Sequence, residues 1–195
     1  MDIRPVTLRG AHVRLEPLTL EHVPGLAAVG LDPELWRWVP TLVATPEEMR
    51  QYVEQALEEQ AKGSALPFAI IHQASGAVIG STRYGNIDRG NRRVEIGWTW
   101  VARAHQRSAA NTEAKLLLLT HAFETLGAFR VELKTDALNA QSRAAILRLG
   151  AQEEGILRRH VLVPRTGRVR DTVYYSILDH EWPDVKARLQ ARLRT

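Results

Sequence analysis

A chain of 195 residues with 45% hydrophobic content can bury one good-sized core, so a single domain over residues 1–195 is expected. It has no cysteine, which excludes disulfide scaffolds, thiolate metal sites and a cysteine nucleophile, and which fits a reducing compartment. The net charge of +4 is uneven: residues 1–100 carry 10 basic and 12 acidic side chains, residues 101–195 carry 16 and 10, so the second half suits a phosphate-bearing ligand or nucleic acid.

Met1 to Leu20 mixes charged and apolar residues without a signal-peptide core, and no segment reaches the roughly 20 apolar residues that cross a bilayer. A cytoplasmic location is therefore expected. His12–Leu18 alternates and predicts an opening strand; Thr19 then caps a helix over about 20–30. Leu31–Leu42, with Trp36, Trp38 and Pro40, reads as a loop or short helix. Thr45-Pro-Glu-Glu48 predicts a helix start, with Thr45 at the cap, Pro46 at the first position and Glu48 closing a capping box. That helix is expected to stop at Gly63. Leu66–Gln73 and Ala77–Tyr84 form a predicted hairpin around Ala74-Ser-Gly76.

The next strand, Arg93–Val101, sets Val94, Ile96, Trp98 and Trp100 on one face against Arg93, Glu95, Gly97 and Thr99 on the other. The turn Gln106–Thr112 leads into a helix over Thr112–Leu126 with Leu116, Leu119, Ala122, Phe123 and Leu126 along one face, ended by Gly127. Asn111 or Thr112 is its expected cap. Phe129–Thr135 is the next strand and Gln141–Leu149 the next helix, stopped by Gly150. A hairpin around Arg165-Thr-Gly167 joins strands Gly155–Pro164 and Arg170–Leu178, and a helix over about Pro183–Leu193 closes the chain. This mixture predicts an α/β domain with a central mixed sheet. Its middle places a helix N-terminus at the gap of a splayed strand pair, a setting that suits an elongated anionic cofactor. Arg103 and Arg107 add positive charge beside it. The densest basic run is Arg158, Arg159, Arg165, Arg168 and Arg170, read mainly as solvated strand and turn positions. His72, His105, His121 and His160 show no metal-ligand spacing, and no metal site is expected.

The carrying motifs are Glu95-Ile-Gly-Trp98, Gln106–Lys115, Ala122–Gly127, Phe129–Glu132, Asn139–Arg143, Leu149-Gly150 and Tyr174–Trp182. In order and spacing they resemble the GNAT superfamily of acetyl-coenzyme A-dependent N-acetyltransferases, in its Rim-type branch of ribosomal-protein N-terminal acetyltransferases, over roughly residues 8–183. The resemblance implies a GNAT fold, with a mixed, mostly antiparallel sheet whose central strands splay, flanked by helices. It implies acetyl-CoA as cofactor, held by strand residues Trp98 and Trp100. The loop Gln106, Arg107, Ser108, Ala109, Ala110, Asn111 and Thr112 would cradle its pyrophosphate. Asn139 and Ser142 would lie along the pantetheine arm. Ala109 stands where the family loop has its first glycine, and Ile146 stands where many members carry a tyrosine acid. Ser142 is therefore the implied acid or thiolate partner, and Glu95 the implied general base. A strand amide near Trp98–Val101 would polarise the thioester carbonyl. Residue chemistry also offers plain alternatives: Asn139 as a helix cap, Glu95 as a partner of Arg93, Arg83 or a neighbouring strand.

The implied reaction is direct acetyl transfer to a primary amine, on a protein N-terminus or a small molecule, with no acyl-enzyme. Acceptor recognition falls to Trp36, Trp38, the helix after Thr45 and the Arg165 hairpin, with Trp36 and Trp38 alternatively core or lid. A homodimer is possible; no membrane and no nucleic-acid partner is expected. The alternative reading is a non-catalytic acyl-CoA-binding protein of the same fold, and a third is an Arg-rich RNA-binding module.

Overall fold

The computed structural model describes residues 1–194. The strands are β1 (Leu8–Arg9), β2 (Val13–Pro17), β3 (Leu66–His72), β4 (Val78–Asp88), β5 (Arg93–Val101), β6 (Arg130–Asp136), β7 (Gln152–Val163) and β8 (Arg168–Leu178). The helices are α1 (Val23–Gly30), α2 (Pro46–Ala61), α3 (Ala109–Thr120), α4 (Ala140–Leu149) and α5 (Trp182–Leu193). All eight strands form one sheet in the order β1-β2-β3-β4-β5-β6-β8-β7, in which β5 and β6 are parallel and every other neighbouring pair is antiparallel. The expected order of elements is present, with β1 as an unforeseen addition.

Helices cover both faces. One core, built on Leu15, Phe68, Tyr84, Ile96, Val131 and Tyr175, receives Leu118 and Leu119 of α3, Ile146 of α4 and Val185 of α5. A second, on the opposite face, joins Leu26 of α1, Met49 and Val53 of α2, Trp36, Ile71 and Trp100. The helix ends follow their local chemistry. Thr45 Oγ1 accepts the Glu48 amide at 3.1 Å while a Glu48 carboxylate oxygen accepts the Thr45 amide at 3.1 Å, closing the predicted capping box. Gly150 ends α4 at φ 101°, a conformation that an L side chain resists.

Two expectations are corrected. Helix α3 begins at Ala109 rather than Thr112, because Ser108 is its cap: the Ser108 hydroxyl accepts the Ala110 amide at 3.2 Å and donates to His105 O at 2.7 Å. Its far end runs on as a π-turn, His121–Thr125. The second correction concerns β5. Trp98 adopts φ 50°, and the register against β4 jumps from Arg83↔Gly97 to Ser81↔Trp100. This β-bulge sets two residues of β5, Trp98 and Thr99, opposite Thr82 alone, and one extra residue inverts the side-chain phase. Val94 and Ile96 face the first core, whereas Trp100 enters the second. Trp98 joins it on that face, its ring under the Arg83 guanidinium, which also lies over Tyr52 of α2. Trp98 therefore shares the face of Glu95 and does not oppose it. Among the described residues no helix is long and apolar enough to cross a membrane.

Candidate active site

Strands β5 and β6 pair over only three residues, Arg93–Glu95 against Arg130–Glu132. Beyond that point β5 continues on β4 to Val101 and β6 continues on β8 to Asp136, so the two diverge. The side of β5 facing β6 thus has no strand partner from Ile96 onward. Because the pair is parallel, the helices that follow them, α3 and α4, both begin at the open end. A crevice outside the carboxyl ends of diverging strands is where open α/β sheets bind ligands.

At one side stands the Gln106–Thr112 loop. Gln106 Nε2 donates to Val101 O at 3.1 Å, fastening the loop to the end of β5. Arg107 carries the loop's left-handed conformation at φ 58°. Ala109 and Ala110 already lie in α3, in a helical backbone region open to any L residue, so no glycine is needed there. His12, Arg107, Thr112, Arg192 and Arg194 line a basin at this helix end. Three arginines beside a helix N-terminus make a basic surface that suits a phosphate, and the two from α5's end were invisible to local sequence reading.

At the other side stands α4. Asn139 is its cap, the side-chain oxygen accepting the Ser142 amide at 3.0 Å. Ser142 follows one turn in, half-buried, and its hydroxyl has no hydrogen-bond partner among the described residues. The next residue, Arg143, is fully engaged, donating to Tyr175 Oη at 3.2 Å, Ala137 O and Glu153. Ile146 is buried in the first core.

Glu95 closes the apex of the split, at the last paired position. It is buried, with Lys134 Nζ of β6 at 2.8 Å and Asn86 Nδ2 of β4 at 2.6 Å. Neither Arg93 nor Arg83 is its partner: Arg93 pairs with Asp88 and Glu132, and Arg83 with Glu59 of α2 at 2.8 Å. The face that Glu95 shares with Trp98 also carries Tyr52, whose hydroxyl donates to Trp98 O at 3.5 Å. Lys134 lies over the Tyr174 ring. Arg170 lies nearby; burial holds its pKa below the usual arginine value despite the attraction of Asp136. Trp100 is a core residue, its side chain 7% exposed against Trp36, which leaves only its backbone to the crevice. Trp36 is core as well, donating Nε1–H to Gly30 O at 2.7 Å. The Arg165 guanidinium donates to the carbonyls of Trp36, Arg37 and Val39, so the β7–β8 hairpin clasps the Trp36–Pro40 segment. Trp38 alone of that pair stays half-exposed.

One buried group was missed altogether. Lys115 of α3 is 6% exposed and donates to Thr99 Oγ1 at 2.6 Å. Burial pulls its pKa down to about 7. Its position inside a helix read as apolar gave no signal. Among the described residues no cluster of three metal-ligating side chains exists.

A split parallel pair, a helix N-terminus ringed by arginines and a second helix bearing a free hydroxyl define an acyl-coenzyme A-utilising transferase. The GNAT acetyltransferase-domain family model matches residues 12–152, and the chain belongs to that family. It is an acetyl-CoA-dependent N-acetyltransferase by that membership. A GCN5-related N-acetyltransferase from Brucella melitensis is 35% identical, with 98% of this chain and 86% of that one aligned at a TM-score of 0.91. RimJ from Mycobacterium smegmatis, solved in complex with CoA-disulfide, is 26% identical over 96% and 95% of the two chains, at 0.84. YdaF of Bacillus subtilis, provisionally named a ribosomal N-acetyltransferase, is 38% identical over 111 residues, which span 57% of this chain and 59% of YdaF.

Proposed function

We propose that this chain binds acetyl-CoA in the β5–β6 crevice and transfers the acetyl group directly to a primary amine, on a protein N-terminus or a small molecule. The observation that carries the reading is the crevice itself, with an unpartnered β5 edge, the α3 N-terminus on one wall and the free Ser142 hydroxyl on the other. The residues fit the group. Arg107 and the first-turn amides of Ala109 and Asn111 suit a pyrophosphate, with Gln106, Ser108, Ala110 and Thr112 shaping the loop. Asn139 borders the arm, and the Trp98 and Trp100 backbone presents the strand edge. Bound acetyl-CoA supplies the acetyl group as an activated thioester.

The chain's own residues then do three things. The strand edge after the bulge offers an amide to the developing oxyanion. Glu95, on the face of Trp98, Tyr52 and Tyr174, draws the acceptor ammonium and takes its proton through water. Ser142 gives its hydroxyl proton to the departing thiolate sulfur as the carbon–sulfur bond breaks, and it is reprotonated through water by the proton the attacking nitrogen sheds as it becomes the amide. The half-exposed Trp38 and the Arg165 hairpin border the acceptor's approach. The lack of cysteine suits a reducing, cytoplasmic setting for this reaction.

Thiol release from acetyl-CoA across a panel of amines and N-terminal peptides tests this. A wild-type rate above background with at least one acceptor, and a Ser142→Ala rate lower by about 10²-fold, are expected. Equal rates in Ser142→Ala and Asn139→Ala would remove these residues from the site. Coenzyme A binding with no turnover on any amine would favour a non-catalytic acyl-CoA-binding protein.

A further inference from the structure

Helix α3 meets the sheet through Ala110, Ala114 and Leu118. Successive residues of a helix point about 100° apart, so Glu113 and Lys115 leave the helix on opposite sides of Ala114. Glu113 reaches back to the β1–β2 turn, accepting the amides of Ala11, His12 and Val13 at 2.8, 2.7 and 2.7 Å. Lys115 therefore looks the other way, toward β5, and its contact with Thr99 beyond the bulge fixes that direction. Asn111, one turn earlier, lies on the same side of the helix.

Both polar groups are incompletely used. A lysine ammonium has three donor protons, and among the described residues Lys115 Nζ has one acceptor, Thr99 Oγ1, which also meets Thr82 Oγ1 at 2.7 Å. Asn111 Oδ1 is buried without a hydrogen-bond partner among the described residues. Buried donors and acceptors in folded proteins are almost always paired. A helix flank that needed only to pack would carry apolar residues at both positions. Here an acceptor and a multiple donor stand one helical turn apart, beside a strand whose own edge is unpaired.

We propose that Asn111 and Lys115 form a polar rail for the amide-bearing pantetheine arm of the acyl-thioester cofactor. An arm amide donates its N–H to Asn111 Oδ1, and an arm carbonyl accepts from Lys115 Nζ. Thr99 holds the ammonium in place from the strand side. The proposal rests on the cofactor reading above and adds to it residues that bind the arm by side chain rather than by backbone.

Titration calorimetry of wild type, Lys115→Met and Asn111→Ala with two probes tests it. The probes are coenzyme A and 3′-phospho-ADP, the same nucleotide without the arm. Losing one charge-assisted hydrogen bond weakens binding by about 10- to 100-fold, so Lys115→Met is expected to raise the coenzyme A Kd by that factor. Asn111→Ala raises it several-fold, and the 3′-phospho-ADP affinity of both variants stays at the wild-type value. Unchanged coenzyme A binding in Lys115→Met, or an equal loss for both probes, overturns the rail. If wild type binds neither probe, the cofactor reading itself fails, and the rail with it. Should Lys115→Met not fold, Asn111→Ala decides by the same two titrations.

Discussion

Glu113 and Lys115 flank one alanine of α3, both are 6% exposed, and they are satisfied in opposite ways. Glu113 spends its carboxylate on three backbone amides of the chain's first hairpin, a hundred residues away. Its group leaves no room for more: a Cβ on Gly10 would collide with the carboxylate. Among the described residues Lys115 has a single hydroxyl for company and no carboxylate within ion-pair distance. Burial of charge is costly unless fully paired, so the first residue is a fastener and the second is a strain the fold tolerates beside its crevice.

Breaking the fastener gives the largest effect. Glu113→Ala strands three amides near β1 and β2 and is expected to cost about 3–5 kcal/mol in denaturant unfolding. A cost below about 1 kcal/mol would mean that water replaces the carboxylate. Glu95 sits between the two extremes, paired yet placed at the crevice apex. Glu95→Gln is expected to lower kcat about 10²-fold. It also leaves Lys134 without its anion, so stability falls with it. Glu95→Gln combined with Lys134→Met restores the unfolding midpoint but not kcat; recovery of both would reduce Glu95 to a structural partner.

Lys115→Met sharpens the contrast from the other side by stabilising the free protein, on the order of 1–2 kcal/mol. The pH dependence has a fixed sign. The folded pKa of about 7 lies below the unfolded value of 10.5, so the wild-type penalty is full below pH 7 and fades as pH rises toward 10.5. The variant's advantage therefore shrinks between pH 7 and 10, and a pH-independent advantage in thermal scans would place the ammonium in contact with water. The smallest effect belongs to Thr99→Val, which removes one acceptor from Lys115. It is expected to lower stability by about 1 kcal/mol, measured by the same scans.

Punctuation and short-range pattern were readable in the amino-acid sequence: the Thr45–Glu48 box, the stops at Gly63 and Gly150, the Ala74–Gly76 turn and the succession of strands and helices. Asn139 declares its capping role because the partner amide is three residues away. What could not be read depends on distant partners or on one inserted residue. Val94, Ile96, Trp98 and Trp100 alternate perfectly on paper, and only pairing with β4 reveals that Trp98 and Thr99 share one opposite residue. Ser108 hides as a cap because Asn111 and Thr112 are equally good cap residues. Glu113 looks like a first-turn acid, and Lys115 like a solvated face. The basic run also divided once folded: Arg165 clasps the Trp36 segment, Arg168 pairs with Asp136, and Arg170 is buried against Thr172.

The parting of β5 from β6 has a consequence for how the protein breathes. Sheets usually keep their open edges at the rim, where charge and twist discourage unwanted pairing. This one carries an edge in its middle, so amides of one strand belong to two populations. In hydrogen exchange, the half of β5 paired on both sides should open only with the whole sheet, while amides beyond Ile96 that point toward β6 should exchange through local access. An occupant of the crevice would close that seam and turn two rates into one.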